Sequence, residues 1–314
     1  MRIVFCGTPA FALPSLRALI ADPDFRVEAV VTQPDRPRGR GGEISISAVK
    51  AAAIESGIEV YQPGKIKSDA ANDFLLRLAP DLIVIIAYGQ IISQRLLEIP
   101  RLGWVNVHAS LLPKYRGAAP INWAIINGET RTGVTTMQVS AGLDTGPILL
   151  KSETHIGVDE TAQELGARLA EMGAPLIVET LRKLARAEIT PQPQDDSQAS
   201  LAPLLKKEDG RIDWSLPAQR IYNRIRGLQP WPGAFSTFRG KTCNIWGRPV
   251  VEQKVGTGTD TLPGTILTAD RELAVACGDG TILELEFVQL EGRKRVTARE
   301  FASGARLSSG ERFA

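Results

Sequence analysis

The stretch Asp81-Leu-Ile-Val-Ile-Ile-Ala87 decides the fold. Successive side chains of a strand point to opposite faces, so a strand built from Leu82–Ile86 is apolar on both. That is the pattern of a strand inside a parallel sheet whose two faces are covered by helices. Ile3–Cys6 and Val27–Thr32 read as strands before it, and Gly103–His108 as a strand after it. Phe11–Ile20 reads as a helix, with Leu13, Leu16, Leu19 and Ile20 on one face. Strands alternating with helices predict an α/β domain, a mostly parallel sheet with crossover helices. In such sheets ligands bind just beyond the carboxyl ends of the strands, which directs attention to the end of Gly103–His108.

Further along, Leu165–Leu184 reads as a long closing helix, and Thr190–Ser200 is polar, proline-bearing and aperiodic, as a linker would be. The pattern then changes. One helix, Ala218–Arg226, is followed by short strands separated by turn signals such as Phe238-Arg-Gly-Lys241 and Cys277-Gly-Asp-Gly-Thr281. Thr297-Ala-Arg-Glu300 is a capping box that opens a short helix. The expected organisation is a catalytic α/β domain over 1–189, a linker over 190–205 and a small β-barrel over 206–314.

Bulk properties narrow the function class. The 314 residues carry a net charge of +2, but from Lys206 onward 17 Lys and Arg stand against 13 Asp and Glu. Cys6, Cys243 and Cys277 are odd in number, far apart and without CxxC spacing, which excludes a disulfide framework or zinc ribbon and suits a reducing compartment. Met1–Gly7 reads as a strand and turn, and no apolar run approaches the roughly 18 residues of a membrane span. A cytoplasmic chain with no membrane partner and no bound metal is expected.

Three motifs carry possible chemistry. Phe5-Cys6-Gly7-Thr8-Pro9 follows the first strand but lacks GxGxxG, so Gly7 and Pro9 read as a turn and helix start rather than a dinucleotide site. Asn106-Val-His108-Ala-Ser110-Leu-Leu-Pro113 places a carboxamide and an imidazole on one face at a strand end. Such a pair can hold an oxygen that becomes negative during addition to a carbonyl. Ala141-Gly-Leu-Asp144-Thr-Gly146 sets an Asp between glycines, which is a turn residue or the orienting partner of His108; spacing alone leaves both open.

Taken in order, Gly7-Thr8-Pro9, Gln33-Pro34-Asp35-Arg36-Pro37, Ala87–Ile91, Asn106-x-His108-x-Ser110–Pro113, Tyr115–Ile121, Gly142–Gly146, Ile212-Asp213-Trp214 and Pro230-Trp231-Pro232-Gly233 resemble the folate-dependent formyltransferases along nearly the whole chain. The resemblance implies a Rossmann-like first domain and an oligonucleotide-binding-like barrel. It implies 10-formyltetrahydrofolate as co-substrate and the α-amine of initiator methionyl-tRNA as acceptor, with an amino-sugar nucleotide as the rival acceptor and a non-catalytic RNA-binding protein as the rival of another class. It makes Asn106, a protonated His108 and Asp144 the catalytic set, Ser110, Leu111, Leu112 and Pro113 the folate-site lining, Tyr88–Ile91 a further contributor, and the chain a monomer. Arg36, Arg38 and Arg40, interleaved with Pro37, Gly39 and Gly41 in the loop after the second strand, suit contact with tRNA phosphates. In that loop Gly42 and Glu43 stand where such transferases carry two lysines, and Ile46 and Ala48 flank Ser47 in place of two prolines.

Overall fold

The computed structural model describes residues 1–38, 43–250, 261–268, 273–308 and 310–314. The chain forms two compact units. The first comprises Met1–Pro120, Arg131–His155 and Leu165–Pro203; the second comprises Ile121–Thr130, Ile156–Glu164 and Leu204–Ala314.

In the first unit the strands are β1 (Arg2–Gly7), β2 (Arg26–Val31), β3 (Arg36–Arg38), β4 (Glu43–Ser45), β5 (Glu59–Tyr61), β6 (Leu82–Ile86), β7 (Trp104–His108), β8 (Arg116–Gly117), β9 (Arg131–Gln138), β10 (Ile148–His155) and β11 (Leu201–Ala202). Seven of them form one sheet in the order β10-β9-β7-β6-β1-β2-β5. The five from β7 to β5 run parallel, as the apolar strand patterns imply, while β9 lies antiparallel to both β7 and β10. Leu82, Ile83, Val84 and Ile86 are all fully buried, each contributing about 1.5–3 kcal/mol against exposure. Strand order reverses between β1 and β6, the place where an open α/β sheet opens a crevice. Gly7 is required there: a Cβ on it would lie 2.9 Å from the Phe5 ring and 3.1 Å from the Ile86 carbonyl.

The helix expected over Phe11–Ile20 is α1 (Leu13–Ala21), entered through a 3-10 turn at Ala10–Ala12. The long closing helix spans Ala162–Ala185. The stretch read as a linker is hydrogen-bonded into the first unit: Leu201–Ala202 pairs in parallel with Arg116–Gly117, and Gln192 exchanges two backbone bonds of 2.8 Å with Ile148. These are backbone bonds to distant partners, which local periodicity does not encode.

The second unit is a curled antiparallel half-barrel made of β12 (Phe235–Phe238), β13 (Lys241–Pro249), β14 (Ile266–Thr268), β15 (Leu273–Ala276), β16 (Ile282–Leu290) and β17 (Val296–Thr297). The ladder runs β12-β13-β16-β15-β14, with β17 on β16. Phe238, Phe301, Phe313 and Trp214 pack together at its core, with ring centroids 5.3–6.4 Å apart. The unit also takes in 121–130 and 156–164, where the sequence reading had 1–189 as one domain. Asn122 Nδ2 donates to the Gly227 carbonyl at 2.7 Å and the Tyr222 hydroxyl to Asp159 at 2.6 Å, bonds between residues 63 or more positions apart. Among the described residues no helix is long and apolar enough to cross a membrane. All three cysteines are buried and unpaired.

Candidate active site

Asn106 and His108 stand two residues apart on β7, and the period of the strand puts them on one face. The imidazole is 5% exposed. Its Nε2 lies 2.9 Å from the Tyr115 carbonyl oxygen. A carbonyl can only accept, so Nε2 carries a hydrogen and donates it, leaving Nδ1 as the nitrogen that gains or loses a proton. Nδ1 faces Asp144 Oδ2 at 3.6 Å. The same oxygen accepts from the Gly117 amide at 2.9 Å, and Oδ1 faces Asn106 Nδ2 at 3.4 Å. The loop after β9 therefore brings Asp144 to both residues of β7, across 36 and 38 positions of sequence. Asp144 adopts the left-handed conformation, φ 51°, which Asp tolerates better than most non-glycine residues.

Burial holds the His108 imidazole below its usual pKa; the Asp144 carboxylate and the Tyr115 bond pull it upward and offset part of that effect. The free protein thus favours a neutral ring. The imidazolium expected from the sequence requires additional negative charge, such as an oxyanion would supply.

The Ser110–Pro113 turn follows β7 directly. Ser110 and Leu112 are fully buried, whereas Leu111 and Pro113 are partly exposed. Ser110 Oγ donates to the Lys114 carbonyl at 2.6 Å, and Thr135 Oγ1 both donates to the Ser110 carbonyl and accepts from the Leu112 amide. Lys151 Nζ donates to the Leu112 carbonyl at 2.5 Å. The turn is thus built from below, and only Leu111 and Pro113 offer surface to a ligand.

Beyond the carboxyl ends of β1, β2 and β6 lies a cavity of about 530 Å³, lined among others by Thr8, Gln33, Asp35, Ser47, Tyr88 and Gln90. Its wall is a carboxamide network: Gln33 Nε2 donates to the Tyr88 carbonyl at 3.0 Å, and Gln62 Nε2 to both the Gln33 carbonyl and Asp35 at 2.9 Å. Lys50 closes an ion pair with Asp35, and that pairing together with the Gln62 bond holds the Asp35 carboxyl below the usual carboxylate range. Ile91 and Leu143, on the loops after β6 and β9, are exposed aliphatic side chains. Arg36 and Arg38 fall on β3, paired antiparallel with β4; Arg40 lies outside the described residues. No group of three or more His, Cys, Asp or Glu among the described residues is arranged to hold a metal.

Sequence reasoning named Asn106, His108 and Asp144 but gave no role to the Tyr115 carbonyl or the Gly117 amide. Backbone groups leave no mark in side-chain patterns; the only signal was that Tyr115-Arg116-Gly117 belonged to the ordered motif set.

Fold and site together define a class: a two-unit α/β transferase with a carboxamide and an imidazole on one strand and a carboxylate brought to both by the loop after β9. The chain belongs to the formyl transferase family, residues 1–181 matching the formyl transferase domain and residues 204–306 the formyl transferase C-terminal domain. It is 56% identical to the methionyl-tRNA formyltransferase of Solibacter usitatus (strain Ellin6076), over 100% of this chain and 98% of that protein. It is 50% identical to that of Geobacter sulfurreducens (strain ATCC 51573 / DSM 12127 / PCA), over 100% and 96%. Among solved structures it resembles an N-formyltransferase from Helicobacter canadensis in complex with folinic acid and dTDP-3-aminofucose, with a TM-score of 0.66 and 17% identity over 90% of this chain and 98% of that one.

Proposed function

We propose that the protein transfers the formyl group of 10-formyltetrahydrofolate to the α-amine of initiator methionyl-tRNA, giving N-formylmethionyl-tRNA and tetrahydrofolate. The observation that carries the acceptor is the full-length likeness to methionyl-tRNA formyltransferases. The chemistry is supported by the convergence of Asn106, His108 and Asp144.

In this reading the neutral amine attacks the formyl carbon, and the carbonyl oxygen becomes an oxyanion. Asn106 Nδ2 donates to that oxygen, and His108 is protonated at Nδ1 as the negative charge builds beside it. Asp144, 3.6 Å away, stabilises the imidazolium and passes protons. The C–N bond to the folate then breaks. One proton has moved, in net, from the attacking nitrogen to the folate nitrogen. The acceptor asks little of a base, because a free α-amine titrates near about 8.

Leu111, Pro113, Ile91 and Leu143 supply the apolar surface a pterin requires, while Ser110 and Leu112 hold the turn from beneath. The cavity beside β6 falls in the roughly 300–1,000 Å³ range of small-molecule sites and is the candidate for a substrate end. The reading takes Arg36, Arg38 and Arg40 as phosphate contacts and the chain as a cytoplasmic monomer.

The test is a formyl-transfer assay with methionyl-tRNA and, separately, with an amino-sugar nucleotide. Transfer to methionyl-tRNA alone is expected. The opposite preference would move the acceptor to a sugar amine, and the fold is no guard against that, since the Helicobacter canadensis structure aligns with 90% of this chain. Failure with both would overturn the catalytic reading and favour the non-catalytic RNA-binding alternative.

A further inference from the structure

The polar segment 190–203 reaches the Asp144 loop through the side chain of Gln194. Gln194 Nε2 donates to the Asp144 carbonyl at 2.8 Å and to the Gly146 carbonyl at 2.7 Å. Its Oε1 accepts from Arg116 Nε at 3.0 Å and Nη2 at 2.8 Å. Arg116 is buried, and its Nη2 also reaches Asp196 at 2.7 Å. This arrangement fixes which way the amide points. A guanidinium only donates and a carbonyl only accepts, so a flipped amide would face donor with donor and oxygen with oxygen.

The same segment holds the other wall of the site. Ser200 Oγ accepts from the Tyr115 amide at 2.9 Å and the Ser200 carbonyl from the Arg116 amide at 2.8 Å. Tyr115 supplies the carbonyl that orients His108, and Gly117 the amide that holds Asp144. Gly117 has φ 125°, and a Cβ there would lie 2.6 Å from the Ala202 carbonyl, so strap and turn fit only with glycine.

We infer that Gln194 is a positioning residue for formyl transfer: locked by Arg116, it clamps the backbone of the Asp144 loop so that the left-handed Asp144 keeps its carboxylate opposite His108 Nδ1. This rests on the reading of Asp144 given above. Gln194 touches neither the imidazole nor a substrate; it acts through Asp144.

Two variants test it. Gln194→Ala removes both sets of bonds. Gln194→Glu, nearly the same shape, keeps an acceptor for Arg116 but sets an oxygen against the Asp144 and Gly146 carbonyls. Both are expected to lower kcat for methionyl-tRNA by about 10- to 100-fold, the scale of a small misplacement of a catalytic group, with KM for 10-formyltetrahydrofolate within about twofold. The decisive readout is the His108 titration followed by NMR. Asp144 pulls that titration upward, so loosening its loop shifts it downward, in the same direction as Asp144→Asn. In an Asp144→Asn background the Gln194 changes are expected to add nothing to either readout.

Wild-type kcat and His108 titration in Gln194→Glu would overturn the inference, as would a full effect of Gln194→Ala in the Asp144→Asn background. If Asp144→Asn itself transfers formyl normally, the underlying reading of Asp144 fails instead, and the two failures are distinct.

Discussion

His108 donates from Nε2 to the Tyr115 carbonyl and turns Nδ1 toward Asp144, so a single nitrogen carries the titration. Burial keeps the ring neutral to a lower pH in the folded chain than in the unfolded one, where it protonates near about 6.5. As pH falls through that window the unfolded chain binds a proton that the folded chain does not, and stability falls with it. Measured by urea denaturation from pH 7 to pH 5, the wild type is expected to lose stability faster than His108→Gln, by at most ~1.4 kcal/mol per pH unit. Equal slopes would mean that the folded ring protonates as the unfolded one does. On activity, His108→Ala and Asn106→Ala are each expected to lower kcat by roughly 10²–10³, the usual cost of losing one group that stabilises the oxyanion, with the fold retained. Near-normal transfer in either variant removes that residue from the oxyanion role.

At the scale of elements, β6 and the 298–305 helix were legible for different reasons. Leu82–Ile86 is apolar without a break, and burial on both faces follows from that alone. The helix Ala298–Ala305 begins where Thr297 accepts from the Glu300 amide while the Glu300 carboxylate accepts from the Thr297 amide, as the four-residue motif implies. Thr297→Ala is expected to destabilise the second unit by ~1 kcal/mol and to leave kcat unchanged. Thermal unfolding read beside the formyl-transfer assay checks both halves. β8 and β11 were not legible, being two residues each and dependent on a partner more than 80 positions away.

For the whole molecule, recognition of tRNA is a matter of charge. Every Lys or Arg contact to phosphate releases counterions, so affinity falls with salt and the slope counts contacts. The loop bearing Arg36, Arg38 and Arg40 has Gly42 and Glu43 in place of two lysines, so in the proposed reading the three arginines and the basic C-terminal part share the grip. Arg40→Ala is expected to raise KM for methionyl-tRNA and to make the salt slope shallower by about one unit at most, leaving KM for 10-formyltetrahydrofolate unchanged. An unchanged slope over a salt series would move recognition to the half-barrel.

Sequence by itself determined what local periodicity and composition can encode: which strands are sandwiched, that Asn106 and His108 share a face, and where a helix is capped. The ordered motifs added the family, since many short matches in one order arise from common descent rather than from chance. Tertiary structure alone decided that Asp144 meets His108, because the two lie 36 positions apart and the Gly117 amide and Gln194 that bond Asp144 come from other segments. It decided the neutral state of the imidazole, since desolvation belongs to the packing around a side chain and not to the side chain. It also assigned 190–203 to the first unit and 121–130 and 156–164 to the second. Those memberships rest on hydrogen bonds between residues far apart in sequence, whose partners no local pattern names.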